Sequence, residues 1–486
     1  MGFESADGRA FPAPVIPPFA ARGRILLLLA PAWALAAEPR DPAKLVAEHC
    51  VTCHNQNLVG SPAPNLVDPL WTHGGSDESI LRNIRQGFPQ SGMPGYEGVL
   101  TEPEMRGIIR HIRSLAPEYS AGRITHPRPP AVLPLATELH PARLETWIEG
   151  VETPWGIEFL PDGRLLVTER EGRLRIIRDG KLDPAAVRGL PKALVKQDGG
   201  LLDVIAHPRF AENGWIYLAY VETGRDPATS MTVVVRGRIR DGAWVDQQDI
   251  FRGPPETYVK GWIHYGCRFL FDREERLFFT IGERGVPEAA QDLASPLGKI
   301  HRVLDDGRIP PDNPFVGRSG VWPSIWTLGN RHAQGLKFHP VTGALWESEH
   351  GPSGGDEINV IVAGANYGWP VTSRGTDRRL TFSAGDASMR PPVTAWTPSV
   401  APSGIEFYSG ARFPRWRNHL FVACLGGEQL KRLETDGDRV VREEIIFKGY
   451  GRVRDVVTGP DGLLYLAMNS PGRIARLVPD RPVAAK

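Results

Sequence analysis

Residues 329–369, GNRHAQGLKFHPVTGALWESEHGPSGGDEINVIVAGANYGW, show how the larger part of the chain is built. Two strand-like runs, 335–339 and 344–349, are separated by turn residues, and a third apolar strand starts at Ile358. The hairpin delivers Arg331 at one end and His350-Gly351-Pro352 at the other. Gly354-Gly355-Asp356-Glu357 follows, acidic and glycine-rich. An arginine, free backbone carbonyls and a carboxylate pair within one hairpin's reach suit an anionic ligand held beside a hard cation.

The same strand–turn–strand unit recurs outward from this stretch. First strands begin at Trp155-Gly156-Ile157, Leu202-Asp203-Val204, Cys267-Arg268-Phe269, Gly335-Leu336-Lys337, Gly404-Ile405-Glu406 and Asp455-Val456-Val457. Second strands follow at 165–168, 215–219, 277–281, 344–348, 420–423 and 463–467. About six copies at uneven spacing predict an all-β propeller with variable outer loops. A β-sandwich is the alternative, but a repeated hairpin favours blades around an axis, with the innermost strands ending at one central site.

Composition bounds the rest. At 486 residues the chain is long enough for more than one domain. A net charge of +1 points to no nucleic-acid partner. Glycine (53) and proline (45) are plentiful, as many short strands joined by turns require. Four cysteines are too few for a disulfide framework. Cys267 and Cys424 read as small buried hydrophobes or as a disulfide pair.

The N-terminal part has a different character. Arg22 and Arg24 precede a short apolar run, 25–36, ending Ala34-Leu35-Ala36, which predicts a cleaved signal peptide over 1–36 and a periplasmic protein. No other stretch is a candidate membrane span. Residues 41–117 then carry Cys50-Val51-Thr52-Cys53-His54 after a helix-like segment at 43–49. C-x-x-C-H is the attachment motif of a covalent c-type haem, with His54 on the iron. A zinc half-site would need a second ligand pair nearby, and a redox dithiol would need a βαβ setting; neither is present. Met93, in Ser91-Gly92-Met93-Pro94 between helix-like segments 78–87 and 101–115, is the expected second axial ligand. Its rival Met105 falls inside the helical pattern. Prolines 127, 129, 130, 134 and 141 mark 118–143 as a semi-rigid linker, leaving 144–480 for the propeller.

Several motifs carry a resemblance. The 41–117 region, with Pro64-Asn65-Leu66 after the haem motif and a closing helix, resembles the small class I cytochromes c. From about residue 144 to 478, NRHAQG, SEHGPSGGDEIN, ANYGWP, HYGCRFLFD, AQDLASPLGKIHRV, IPPDNPF and VRDVVTGPDG follow the order found in soluble sugar dehydrogenases that use pyrroloquinoline quinone (PQQ). The resemblance implies six blades, PQQ and Ca²⁺. It makes His264 the catalytic base and Arg331 the cation beside the quinone carbonyls. Arg452 and Arg454 would approach the PQQ acid groups, with Asp198 and His332 also at the cofactor. Main-chain oxygens of Gly351 and Pro352 would hold the catalytic calcium. Glu357 and the Tyr367 carbonyl would hold a second one.

Some positions depart from the glucose-oxidising relatives. Asp198 stands for glutamine, His332 for asparagine, His350 for glutamine and Glu283 for aspartate, while Gly426 replaces a lysine that helps hold PQQ. The expectation is a quinohaemoprotein that oxidises an aldose sugar or related alcohol or aldehyde. Electrons would leave through the haem to an external acceptor such as a cytochrome or the quinone pool. A calcium-dependent, lactonase-like hydrolase and a non-enzymatic ligand-binding propeller are the alternatives.

Overall fold

A computed structural model of the chain describes residues 39–480, apart from 61–62, 69–70, 72, 89–92, 125–129, 378–379 and 386. The expected signal peptide lies outside the described residues, as do Ser91 and Gly92 of the Met93 loop. No helix among the described residues is long and apolar enough to cross a membrane.

Among the described residues four helices make the N-terminal domain: α1 (Pro42–His49), α2 (Val51–His54), α3 (Asp77–Gln86) and α4 (Glu102–Ser120). Each longer helix starts where the sequence supplies a cap. The Asp41 carboxylate accepts the Ala43 amide, and Ser76 accepts the Ser79 amide. Thr101 and Glu104 form a capping box at α4. Leu45, Val46, Leu81, Ile84, Ile108 and Ile112 pack with Met105 in the core between them. Met105 is therefore a packing residue, as its helical position predicts.

The remainder forms six antiparallel sheets of four or five strands. The first strands, Pro154–Phe159, Leu201–Ala206, Phe269–Phe271, Ala333–Phe338, Pro402–Phe407 and Arg452–Thr458, touch one another in a closed ring. This is a six-bladed β-propeller. Buried polar staples tie neighbouring blades near the axis. Asp455 accepts the Ile157 amide and Asp203 accepts the Phe269 amide. Arg268 joins both carboxylates, at 3.0 Å from Asp203 and 2.9 Å from Asp455. Cys267 and Cys424 are free and buried, so the packing alternative holds and the disulfide does not.

The last blade differs from the sequence expectation. Its strands run Val132–Ala136, Pro141–Glu149, Arg473–Pro479, Leu464–Asn469 and Arg452–Thr458. The expected linker 118–143 therefore holds the end of α4, an outer strand and the start of the strand that closes the ring. Proline-rich sequence is tolerated there because Pro134 lies on the edge strand and Pro141 is the first residue of its strand.

Candidate active site at the propeller mouth

The loops leading into the first strands, and those following the second strands, meet at one end of the axis. His264 lies just before the third blade with φ 54°, a left-handed backbone that is costly for a non-glycine residue. Its amide donates to Asp198 at 3.2 Å, so a carboxylate of the second blade holds this conformation. Its ring Nδ1 makes a short hydrogen bond to Glu283. Gly282 makes that approach possible, since a Cβ there would lie 2.1 Å from the His264 carbonyl. Burial alone would raise the Glu283 carboxyl, but the His264 ring and Arg331 outweigh it and hold the group below its ordinary value. An ionised Glu283 accepts Nδ1–H and leaves the His264 Nε2 lone pair as the basic face.

Two further imidazoles stand next to it, with ring centroids 4.8 Å apart for His264–His332 and 5.0 Å for His332–His350. Burial, followed by the neighbouring cationic groups, drives both His332 and His350 well below the ordinary histidine range, so both are neutral. Arg454 donates to Gln334 Oε1 at 3.0 Å, and Gln334 Nε2 lies 3.1 Å from His332 Nε2. This order makes His332 Nε2 the acceptor and leaves its Nδ1–H as an unused donor.

The cations complete the site. Arg331 donates to the carbonyls of His350 (3.1 Å) and Gly351 (2.7 Å) and lies over the Trp369 ring. Arg452 pairs in the sixth blade's first strand, and Arg454 sits in the bulge between Val453 and Asp455. Burial and then the adjacent Arg452 bring Arg454 down to about 9. Buried nitrogens without a hydrogen-bond partner among the described residues include Nε of Arg331, Nε of Arg454, Nδ1 of His332 and Nε2 of His350. Crowded guanidinium groups and orphaned donors amount to a charge deficit that a multiply anionic, acceptor-rich ligand would fill. Gly426 supplies no cation, and a Cβ there would meet the Val400 backbone at 2.8 Å.

The expected calcium ligands also lie here. The Gly351 carbonyl accepts from Arg331, and its amide donates to Asp356 at 2.9 Å. Glu357 sits with Glu347 and Glu349 around the Asn359 amide nitrogen, at 3.5, 3.0 and 3.2 Å. Burial, followed by the neighbouring Glu349 charge, raises Glu357 to about 8, and Glu347 Oε1 has no partner among the described residues. Among the described residues no set of three or more His, Cys, Asp or Glu side chains is arranged to hold a metal ion by itself. A cation here needs main-chain oxygens as well, and Tyr367, packed on the Glu357 strand through a hydrogen bond to the Val360 carbonyl, is buried alongside.

In the helical domain, Cys53 and His54 lie on α2 and Cys50 caps it. His54 is buried, and its Nδ1 lies 2.7 Å from the Pro64 carbonyl. Donation there leaves Nε2 free for an iron, the arrangement usual for a metal-binding imidazole. Met93 exchanges backbone hydrogen bonds with Phe88 and is half-buried. α2 packs against the Gly426–Glu428 turn of the propeller, and Arg452 donates to the Thr52 carbonyl. The helical domain and the propeller mouth thus meet at the haem-attachment motif.

Sequence reasoning missed two participants. Gln334 was visible inside NRHAQG but had no assigned role until the fold brought Arg454 beside it. Thr52 contributes only its carbonyl, which no side-chain pattern reveals.

Comparison with known proteins agrees with this architecture. The glucose/sorbosone dehydrogenase family profile matches residues 151–476. The profile of cbb3-type cytochrome c oxidase subunit III matches residues 37–112. The aldose sugar dehydrogenase YliI of Escherichia coli is 38% identical over 346 residues, covering 69% of this chain and 92% of the relative. The apo crystal structure of the soluble aldose sugar dehydrogenase from Escherichia coli superposes with a TM-score of 0.66 at 38% identity, covering 70% of this chain and 99% of that one. The PQQ-bound aldose sugar dehydrogenase of Streptomyces coelicolor gives 0.58 at 28% identity, covering 72% and 99%. The chain belongs to the glucose/sorbosone dehydrogenase family and carries a cbb3-type cytochrome c domain ahead of its propeller.

Proposed function

We propose that the chain is a periplasmic quinohaemoprotein dehydrogenase. Its substrate is an aldose sugar or a related alcohol or aldehyde, and its cofactors are PQQ and Ca²⁺ at the propeller mouth and one covalent haem c. When bound, PQQ supplies a two-electron hydride acceptor and the haem a one-electron outlet toward an external cytochrome or quinone pool. The observation that carries this reading is the mouth itself: a carboxylate-backed histidine beside arginine cations and unpartnered donors, with a haem-attachment motif against it.

The roles of the chain's own residues follow from the geometry. His264 Nε2 takes the substrate hydroxyl proton, and Glu283 balances the imidazolium that forms. Asp198 fixes the His264 backbone. Arg331 places a fixed positive charge where negative charge develops, in a site whose burial keeps the interaction unscreened. Arg452, Arg454 and His332 offer donors to the acid groups of the cofactor. Main-chain oxygens of Gly351 and Pro352 are the hard donors for calcium at the mouth, and Glu357 with the Tyr367 carbonyl serves a second calcium.

A dye-linked assay over a panel of sugars, with and without added PQQ and Ca²⁺, tests the proposal. Activity that requires PQQ is expected. Hydrolysis of a lactone without PQQ, and no dye reduction by any sugar, would replace it with the hydrolase reading.

A further inference from the structure

The described residues from Arg40 onward cluster as one compact unit, although they comprise two folds of different class. The contact between the folds is specific. Arg452 Nη1 donates to the Thr52 carbonyl, between the two cysteines of the haem motif. Gln56, two residues after His54, lies over Gly449, where a Cβ would meet its amide at 3.3 Å. α2 sits on the Gly426–Glu428 turn.

The propeller side of this contact is held in advance. The Gly449 amide donates to the Glu428 carbonyl at 2.9 Å, and the Gly451 amide donates to the Glu428 carboxylate at 3.1 Å. Arg473 donates to the Tyr450 carbonyl. The loop 449–451 is therefore fixed from both sides. Arg452 is 6% exposed and has no carboxylate within ion-pair distance among the described residues. A buried guanidinium needs hydrogen-bond acceptors, and the Thr52 carbonyl is one that the helical domain supplies to it.

We infer that the haem-attachment turn is docked on the propeller mouth and that Arg452 is the positioning residue that holds it there, tying Thr52 to the seat formed by 426–428 and 449–451. Haem and active site then form one assembly rather than two domains that meet by diffusion. The significance for electron flow rests on the dehydrogenase reading above; the docking itself does not.

Hydrogen exchange on the full-length, haem-loaded protein without PQQ tests the docking directly. In the wild type, amides of residues 53–56 are expected to exchange slowly. Arg452→Met should accelerate them about tenfold, the size expected for loss of a charge-assisted hydrogen bond, with haem absorbance and melting unchanged. Arg452→Lys, which still donates, should restore most of the protection. Gln56→Trp, which adds bulk over Gly449 without touching the mouth, should also accelerate exchange. Equal exchange in wild type, Arg452→Met and Gln56→Trp would overturn the inference.

A kinetic arm separates this inference from the function proposed above. With PQQ, Ca²⁺ and sugar, Gln56→Trp should slow haem reduction at least about tenfold while a dissolved dye is reduced at the wild-type rate. Haem reduction at the wild-type rate in that variant would also overturn the docking. If the exchange results hold but no sugar reduces haem or dye in the wild type, the docking stands and the dehydrogenase reading falls.

Discussion

His264 is placed by three separate devices: the Asp198 hydrogen bond to its amide, the Glu283 hydrogen bond to its ring, and the absent side chain at Gly282. Replacing His264 with Gln is expected to abolish sugar turnover and leave the haem spectrum intact; full activity would refute its assignment as the base. Glu283→Gln keeps the size but removes the charge that stabilises the imidazolium. Its kcat should fall about a hundredfold or more, with the haem unaffected, a loss within the range of general acid–base catalysis. Steady-state kinetics on the PQQ-loaded variant checks this. Met93→Ala should lower the haem midpoint potential, because methionine opposite histidine raises it, and a redox titration reads the change. An unchanged potential would show that Met93 is no ligand. At this scale the sequence was informative wherever chemistry demands a rare residue in a fixed word, as at Cys50-Val51-Thr52-Cys53-His54. It was silent on Gln334 and Thr52, whose roles arise only when distant blades or domains meet.

Among the elements, the first strands of the blades carry both the site and the ring. Arg268 sits between Asp203 and Asp455 and links three blades through them, one guanidinium to two buried carboxylates. Burial pushes Asp203 up to about 7 against the pull of Arg268. An unfolded aspartate titrates near about 3.9, so between these values the folded protein keeps a proton that the unfolded chain has released. The contribution of Asp203 to stability should therefore fall as pH rises from about 4 to about 7 and level off above, a difference read between the wild type and its variant. Urea unfolding across that range measures the slope, and Asp203→Asn should flatten it; a slope of equal size in the variant would contradict the assignment. Arg268→Met leaves two buried carboxylates without their cation and should cost about 3–5 kcal/mol in the same assay. The strand–turn–strand units were legible because each blade repeats the same alternation of strand and turn residues. The closing strand was not. Proline-rich sequence has the composition of a spacer, and only pairing with Arg473–Pro479 turns part of it into a blade.

On the scale of the whole molecule, the parts make sense together. Under the proposed function a two-electron site that accepts sugar hydride would need a one-electron exit, and the haem-attachment turn rests against the mouth where that exit would be needed. The family's propeller was readable from its motifs in order, and the helical domain from a five-residue word. Their apposition was not, because it depends on backbone groups at 52 and on the small residues at 426 and 449 rather than on any side-chain pattern. The most direct test is anaerobic stopped-flow mixing of the full-length protein, loaded with haem, PQQ and Ca²⁺, with an aldose and no dye. The haem bands should reduce in a first-order process whose rate constant does not change with protein concentration. Haem that stays oxidised with every sugar and alcohol offered, or that reduces only in proportion to protein concentration, would contradict the account.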